Sequence, residues 1–313
     1  MFQGLKICIK DIVFYSHFWG LYNALCIRLY PKLLDIFKPG SYCKKQNQVL
    51  SSLLKKEFEP IIEKYRKFKN NPLPITKETP IWVCWWQGEY QMPELIRQCY
   101  KLIQQNSNGH PIHLITKDNY KNYIELPSHI LKKVNMNNIS YTILSDNIRM
   151  TLLAKYGGIW IDSTYWITSP INIHTSFFTI RQDRFKGGIS NFRWTCHAIG
   201  AGSPYYIFAF IRDCYSYHLS IHETNVEYLL LDYIINLAYE EFEDFKDIID
   251  NLPNYEPHIY IMPWLFNQKY NDEKLKEILE TTPLLKLTLK WEKPFVRKTT
   301  EGEDTYYNYF INL

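Results

Sequence analysis

A helix-periodic run that stops at Gly157-Gly158 and restarts as Ile159-Trp160-Ile161-Asp162 constrains the fold of this 313-residue chain more than any other feature. Over residues 141–156 the apolar positions recur at three and four, so Leu152, Leu153 and Tyr156 can face a core. Asp146 and Arg149, at i and i+3, share one face of the same helix. The glycine pair ends the helix and turns the chain straight into a strand. Residues 159–161 are too apolar to lie exposed, so the strand belongs inside a sheet and delivers Asp162 at its carboxyl end. In open α/β sheets, ligands bind outside that edge.

The segments around it alternate in the manner of a parallel α/β sheet. Strands are expected over 81–86, 112–116, 159–162, 177–182 and 188–201, with a further candidate over 284–290. Helices are expected over 93–105, 128–134 and 141–156, and they dominate 204–250. Residues 297–304 are polar enough for a tail or lid. Upstream, residues 7–69 read as helix broken near Pro31 and at Lys38-Pro39-Gly40, and Asn70-Asn71-Pro72-Leu73-Pro74 reads as a linker. The expected organisation is a helical, basic N-terminal extension over 1–75 and an α/β domain over 76–313.

Charge is uneven along the chain. Residues 1–75 hold 13 Lys or Arg against 5 Asp or Glu, so a net +4 for the whole leaves the remainder at −4. The basic part is a candidate for peripheral contact with an anionic membrane face, or is simply a solvated helical surface. It lacks the aromatic or glycine-punctuated pattern of a nucleic-acid binder, so no nucleic-acid partner is expected. Residues 12–27 are uncharged, but at 16 residues they fall short of the ~20 that a spanning helix needs. The opening also lacks the pattern of a secretory leader, because Lys6, Lys10 and Asp11 interrupt it. The seven cysteines show no close pairing of the zinc or redox kind, and they read as reduced, mostly buried thiols. A cytoplasmic protein, peripheral to the inner face of the plasma membrane, is the expectation.

The chemistry such an edge supports follows from its residue types. A carboxylate at a strand end can hold Mg²⁺ or Mn²⁺ against diphosphate oxygens, and Asp162 is the candidate. Asp146 can accept from sugar hydroxyls, while Arg149 can neutralise phosphate or hold Asp146 in position. The same two residues also read as an ion pair on a helix surface. Asp232 lies in the apolar helical run 226–238, where an inward carboxylate is expensive unless paired or used. An acceptor-side role competes there with a surface position. No metal is expected on His197, His218 or His222: the last two are helically spaced, but no third ligand is evident.

At Ser145-Asp146, Arg149, Gly157-Gly158, Trp160 and Asp162 the sequence resembles the capsular polysaccharide synthesis protein family, grouped with the DXD-carrying sugar transferases of glycosyltransferase family 32. Ile81-Trp82-Val83-Cys84-Trp85-Trp86-Gln87-Gly88, followed by Met92-Pro93-Glu94-Leu95, is similar to the family's opening segment. The resemblance spans 79–171 well and 200–290 more loosely. It implies a GT-A-type fold with a Rossmann-like mixed sheet, a UDP-sugar donor, a divalent metal on Asp162 and transfer with retention. It also implies a saccharide or lipid-linked acceptor in capsular or surface polysaccharide synthesis. By the same resemblance Trp86 stacks on the base with Gly88 giving it room, and Trp85, pointing the opposite way, belongs to the core. Asn147, Thr164, Lys286 and Lys290 are further donor-site candidates, the lysines toward phosphate. The third DXD position is Thr164, a weaker metal ligand than a carboxylate, which serves the metal poorly or the sugar instead. No His follows His258, so a late metal ligand falls to Glu292, Glu301, Glu303, Asp304 or no residue. That departure keeps a second reading open, a non-catalytic nucleotide-sugar- or sugar-binding protein. A phosphohydrolase is disfavoured by the lack of a dense carboxylate or His cluster.

Overall fold

The glycine pair that ends the periodic run over 141–156 has backbone angles that only glycine adopts readily, with φ of 70° at Gly157 and 100° at Gly158. It also lies where side chains have no room. A Cβ on Gly157 would sit 2.5 Å from the backbone carbonyl carbon of Ser203, and one on Gly158 would sit 2.3 Å from Nε1 of Trp82. That indole donates to the carbonyl of Gly157 at 2.9 Å, which seals the turn.

The computed structural model describes residues 2–37, 42–181, 188–253, 258–291 and 293–312, except for the side chains of 2–8, 34, 36 and 37. Helices α1 (Phe2–Phe37) and α2 (Tyr42–Tyr65) come first. Then follow β1 (Ile81–Cys84), α3 (Glu94–Gln105), β2 (Ile112–Ile115), α4 (Ser128–Asn135), α5 (Tyr141–Tyr156), β3 (Gly158–Ile161), β4 (Tyr165–Ile167), β5 (Phe177–Thr179) and β6 (Ala198–Ala201). The helices α6 (Tyr206–Ile221), α7 (Leu230–Glu241), α8 (Glu243–Asp250), α9 (Met262–Leu265) and α10 (Asp272–Thr281) lead to β7 (Leu284–Lys286) and α11 (Tyr306–Asn312).

Five strands form a mixed sheet in the order β2-β1-β3-β6-β5, so the expected α/β fold with a mixed sheet is present. β2, β1 and β3 run parallel, whereas β6 runs antiparallel to both β3 and β5. The parallel register of Ile81 with Ile159 and Trp82 with Trp160 brings the carboxyl ends of β1 and β3 side by side. Successive residues of each strand serve opposite cores, as the pleat requires. Trp82, Trp160 and Ile199 face the helices α5 to α8, while Ile81, Val83, Ile159 and Ile161 face the side covered by Ile96, Tyr100 and Ile103 of α3. A separate two-stranded ribbon pairs β4 with β7. It anchors a third apolar cluster in which Trp166 meets Phe310 of α11.

The N-terminal helices belong to the first of these cores. Leu50, Leu54, Phe58, Ile62 and Tyr65, spaced at three and four along α2, are all buried in it, each worth about 1.5–3 kcal/mol when fully covered. α1 kinks at Gly20, where φ is 78°. Lys38, Pro39 and Gly40, the expected break, lie outside the described residues. No described helix is long and apolar enough to cross a membrane. Among the described residues the cysteines are free; Cys99 and Cys214 are buried, but Cys43 is exposed.

Several expected strands are shorter, for local reasons. β1 stops at Cys84 because the amide of Gly88 turns back onto the carbonyl of Trp85. The strand expected over 177–182 is Phe177–Thr179, and Gln182 lies outside the described residues. Of 188–201 only Ala198–Ala201 is strand, since Asn191 and Phe192 hold φ of 44° and 68°, incompatible with extension. β7 ends at Lys286, after which the Thr288 hydroxyl accepts the Lys290 amide and donates to the Lys290 carbonyl, a side-chain turn that competes with the ladder. The polar stretch 297–304 is a turn closed by Lys298 and Asp304 at 2.8 Å, and it runs on into α11.

Candidate active site

Ser140 caps α5, accepting from the amide of Ile143, and the helix that follows turns both Asp146 and Arg149 inward. They are 7 % and 3 % exposed, so they are not a surface pair. Arg149 reaches in two directions. One nitrogen lies 3.0 Å from Asp146 and the other donates to Oδ1 of Asp162 at 3.1 Å, while the guanidinium stacks 4.8 Å over the Trp160 ring. Asp162 follows directly on β3, and its amide is held by the carbonyl of His197. Oδ1 also accepts from Trp160 Nε1 at 2.8 Å, and Oδ2 lies 3.1 Å from the ammonium of Lys286. That ammonium also donates to the Thr164 hydroxyl. The ribbon sets this geometry, because Lys286 pairs with Tyr165 and the Leu287 amide donates to the Thr164 carbonyl at 2.9 Å.

Two more groups close the site. Asp232, in the first turn of α7, accepts from Trp194 Nε1 at 3.0 Å and from the Cys196 thiol at 3.7 Å. His197 stands between two phenols, with Nδ1 at 2.7 Å from Tyr165 and Nε2 at 2.5 Å from Tyr260. Asp146, Arg149, Asp162, Asp232 and Lys286 together line one cleft of about 430 Å³, within the size range of ligand pockets. Thr142 and Tyr228 belong both to its wall and to a neighbouring cavity of about 700 Å³ that extends to Asp11 and Arg28 of α1.

Burial and charge divide the titrating groups. Burial alone would raise the Asp162 carboxyl, but Lys286 and Arg149 outweigh it and hold the group well below the usual carboxylate range. Asp146 goes the other way: burial pushes it up to about 6 in spite of Arg149. Asp232 is also raised by burial to about 6. Burial, reinforced by the nearby Lys286 charge, lowers His197 to about 3, so its ring is neutral at pH 7.

Other sequence candidates lie elsewhere. Asn147 is buried, and its amide donates to the Ile143 carbonyl within α5. Trp86 is half-buried at the β1 end of the sheet, its ring 5.2 Å from Tyr120. Trp85 packs into the core on the opposite face. Gly88 forms the turn beside them, with φ of 95°. Lys290 lines the neighbouring larger cavity. Glu301, Glu303 and Asp304 bond to Thr300, Lys269 and Lys298 of their own surface region, and Glu292 lies outside the described residues. Periodicity does not single out Trp194, Cys196, His197 or Tyr260 as site residues: the first three fall in the expected strand 188–201, but the structure supplies all four from loops. His197 announces itself only by directly preceding a strand that pairs with β3.

His218 and His222 do meet a third group, Glu57 of α2, at 2.6 and 3.2 Å. His218 uses both ring nitrogens in the fold: Nδ1 donates to Glu57 and Nε2 accepts from the Val226 amide. The trio is a hydrogen-bonded tie between α2 and α6.

A divalent cation on Asp162 would need oxygen lone pairs in a net negative setting. Here Asp162 already accepts from Trp160 and Arg149 on one oxygen and meets Lys286 on the other, and Thr164 meets the same lysine. This donor set, with two cations against the carboxylate, fits such an ion poorly.

A family model for capsular polysaccharide synthesis proteins matches residues 34–310, almost the whole of the chain described above. The chain belongs to this family. Among solved structures, one with a similar chain is titled "PaToxG Glycosyltransferase"; it is 16 % identical, with 75 % of this chain and 87 % of that chain covered at a TM-score of 0.41. No curated protein sequence matches. Among the described residues, the cleft at Asp162 gathers Asp146, Arg149, Asp162, Asp232 and Lys286 at the carboxyl edge of the sheet, which makes it the candidate active site of this capsular polysaccharide synthesis protein.

Proposed function

We propose that this capsular polysaccharide synthesis protein is a glycosyltransferase that moves a sugar from a nucleotide-sugar donor, a UDP-sugar, to a saccharide or lipid-linked acceptor. The observation that carries the reading is the alternating chain Asp146, Arg149, Asp162 and Lys286, buried at the carboxyl edge of the sheet and open to one cleft. A nucleoside diphosphate needs fixed positive charge where its leaving oxygens develop negative charge, and Arg149 and Lys286 offer it. Sugar hydroxyls need acceptors, which Asp146 and Asp232 offer on the same wall. Trp86, at the adjacent strand end, is the candidate platform for the base.

No residue of the cleft is assigned as a nucleophile, and retention then calls for same-face attack. The bond between the sugar C1 and the β-phosphate oxygen breaks, its electron pair staying on phosphate. The acceptor oxygen bonds to C1, and its proton passes to the departing diphosphate. The exposed Ile9, Val13, Leu21, Tyr22, Leu29 and Leu33 of α1, beside exposed Lys10 and Lys32, support contact of this helix with an anionic membrane that presents a lipid-linked acceptor. Co-sedimentation with anionic but not neutral vesicles checks that contact.

The reading is tested by incubating the purified chain with a panel of nucleotide sugars and acceptors and following transfer by mass spectrometry. Asp162→Asn should lower turnover roughly 10²- to 10³-fold, the scale of losing a positioned electrostatic group. Binding of a UDP-sugar without hydrolysis or transfer would leave a non-catalytic binding protein. Absence of any thermal shift with every nucleotide sugar would remove both readings.

A further inference from the structure

We infer that the ammonium of Lys286 takes the place of a divalent cation, so that this centre holds its nucleoside-diphosphate donor without metal; the inference rests on the donor reading above. Asp162 and Thr164 occupy the first and third positions of the sequence's DXD-like turn, and one lysine side chain meets both. It stands where the expected metal would need those two ligands for itself. Thr164 supplies a neutral hydroxyl in place of a second carboxylate, so the turn offers one negative charge, and that charge faces two cations.

The lysine is not a loose arm that drifted onto an acidic group. Its residue is fastened within a ribbon, paired with Tyr165, with its own amide bonded to the Ile259 carbonyl at 2.7 Å and the next amide to the Thr164 carbonyl. Its side chain is 15 % exposed, and its ammonium also lies 5.9 Å from the Tyr165 ring centre. The strand pairing that follows the Asp162 turn thus sets the position of the charge. An ammonium has three donors. Asp162 and Thr164 use two, which leaves one for a phosphate oxygen at the mouth of the cleft.

The other carboxylates in the cleft do not rebuild a metal site. Asp146 is engaged by Arg149 and Tyr215, and Asp232 by Trp194 and Cys196. A dication entering beside Asp162 would meet the repulsion of Arg149 and Lys286 together. A diphosphate oxygen arriving beside Lys286 meets the ammonium's remaining donor, a geometry suited to a charge-assisted hydrogen bond, with the Asp162 charge already offset by Arg149 and Lys286.

Calorimetric titration of UDP into the full chain, with EDTA and separately with Mn²⁺, reads the inference directly, together with Mn²⁺ EPR on the same samples. The expected result is one UDP affinity in both conditions and no bound Mn²⁺ signal from the wild-type protein. Lys286→Ala should weaken UDP roughly tenfold or more, the loss of one hydrogen bond to a charged group, whereas Lys286→Arg keeps most of the affinity. Lys286→Ala should also gain a bound Mn²⁺ signal that a further Asp162→Asn substitution abolishes, because the turn is no longer filled. UDP binding by the wild type that appears only with Mn²⁺ would overturn the inference while leaving the donor reading in place, and it needs no variant to fold. Unchanged UDP affinity in Lys286→Ala would overturn it as well. Failure of UDP and other nucleoside diphosphates to bind in either condition would remove the donor reading and this inference with it.

Discussion

Asp162 holds its charge because two cations and an indole are aimed at it, and its removal leaves those cations facing each other. Asp162→Asn should therefore cost stability as well as turnover. Breaking a wholly buried pair costs about 3–5 kcal/mol, and with a side chain one-quarter exposed the expected loss is nearer 1–3 kcal/mol, read from urea denaturation. Its folded-state affinity for a proton is depressed, so its contribution is present above the unfolded value near pH 4 and fades as pH falls below it. The variant should lack that acid limb. Asp232 behaves in the opposite sense. Its folded value is raised to about 6, so the stability it contributes is full below about pH 4 and is lost as pH rises through 6, up to roughly 3 kcal/mol. Asp232→Asn should flatten this decline, and the difference in unfolding free energy between variant and wild type, followed from pH 4 to 7, measures it. A difference that does not change with pH would contradict the assignment.

At the scale of elements, the sheet edge depends on a turn that tolerates no side chain. Gly158→Ala would place a methyl against Trp82 and the Pro80 carbonyl at a positive φ, which should cost about 2–6 kcal/mol from strain and overpacking combined. Gly302→Ala also has a positive φ but open space around it, and should cost only about 1–2 kcal/mol. Equal midpoints for the two in urea would show that backbone angle, not contact, governs the turn. This turn was also what made the fold legible. A sixteen-residue helix with regular apolar spacing, a glycine pair and an apolar strand are signals of period and composition, and α5 and β3 lie where those signals put them. β4 leaves no sequence signal, because Tyr165-Trp166-Ile167 has three residues and no alternation to read. Its partner β7 is shorter than the apolar pattern over 284–290 predicts, since nothing in Lys286-Leu287-Thr288-Leu289-Lys290 shows that the Thr288 side chain takes over the backbone bonds. The site divides along the same line. Asp146, Arg149 and Asp162 come from periodic segments, whereas Trp194, Cys196, His197 and Tyr260 reach the cleft through tertiary turns that leave no periodic trace. Lys286 was a candidate by sequence, but its contact with Asp162 depends on a register visible only once β4 exists.

Across the whole molecule, the N-terminal helices and the sheet share one core, and Glu57 is the polar tie that joins them. It accepts from His218 and His222 of the α6 end and from Trp19 of α1. These bonds lower its carboxyl to about 2 against the opposing effect of burial. The stability it supplies is therefore present above the unfolded value near pH 4 and lost as pH falls toward 2. Glu57→Gln keeps the shape but gives up the charge, and should lower the unfolding free energy by about 1–3 kcal/mol at pH 7 with a smaller difference at pH 3. Thermal unfolding at the two pH values checks both figures. The pairing of β4 with β7 has a further consequence, for the order in which a newly made chain becomes competent. Asp162 and its arginine leave the ribosome more than a hundred residues before Lys286, so a nascent chain can complete the parallel strands while its cleft still carries unbalanced negative charge. Such an intermediate would repel the anionic donor proposed above. Only when the late strand docks does the centre gain its second cation, so that under the reading proposed above donor capture reports that synthesis has passed residue 286 and that this ribbon has closed.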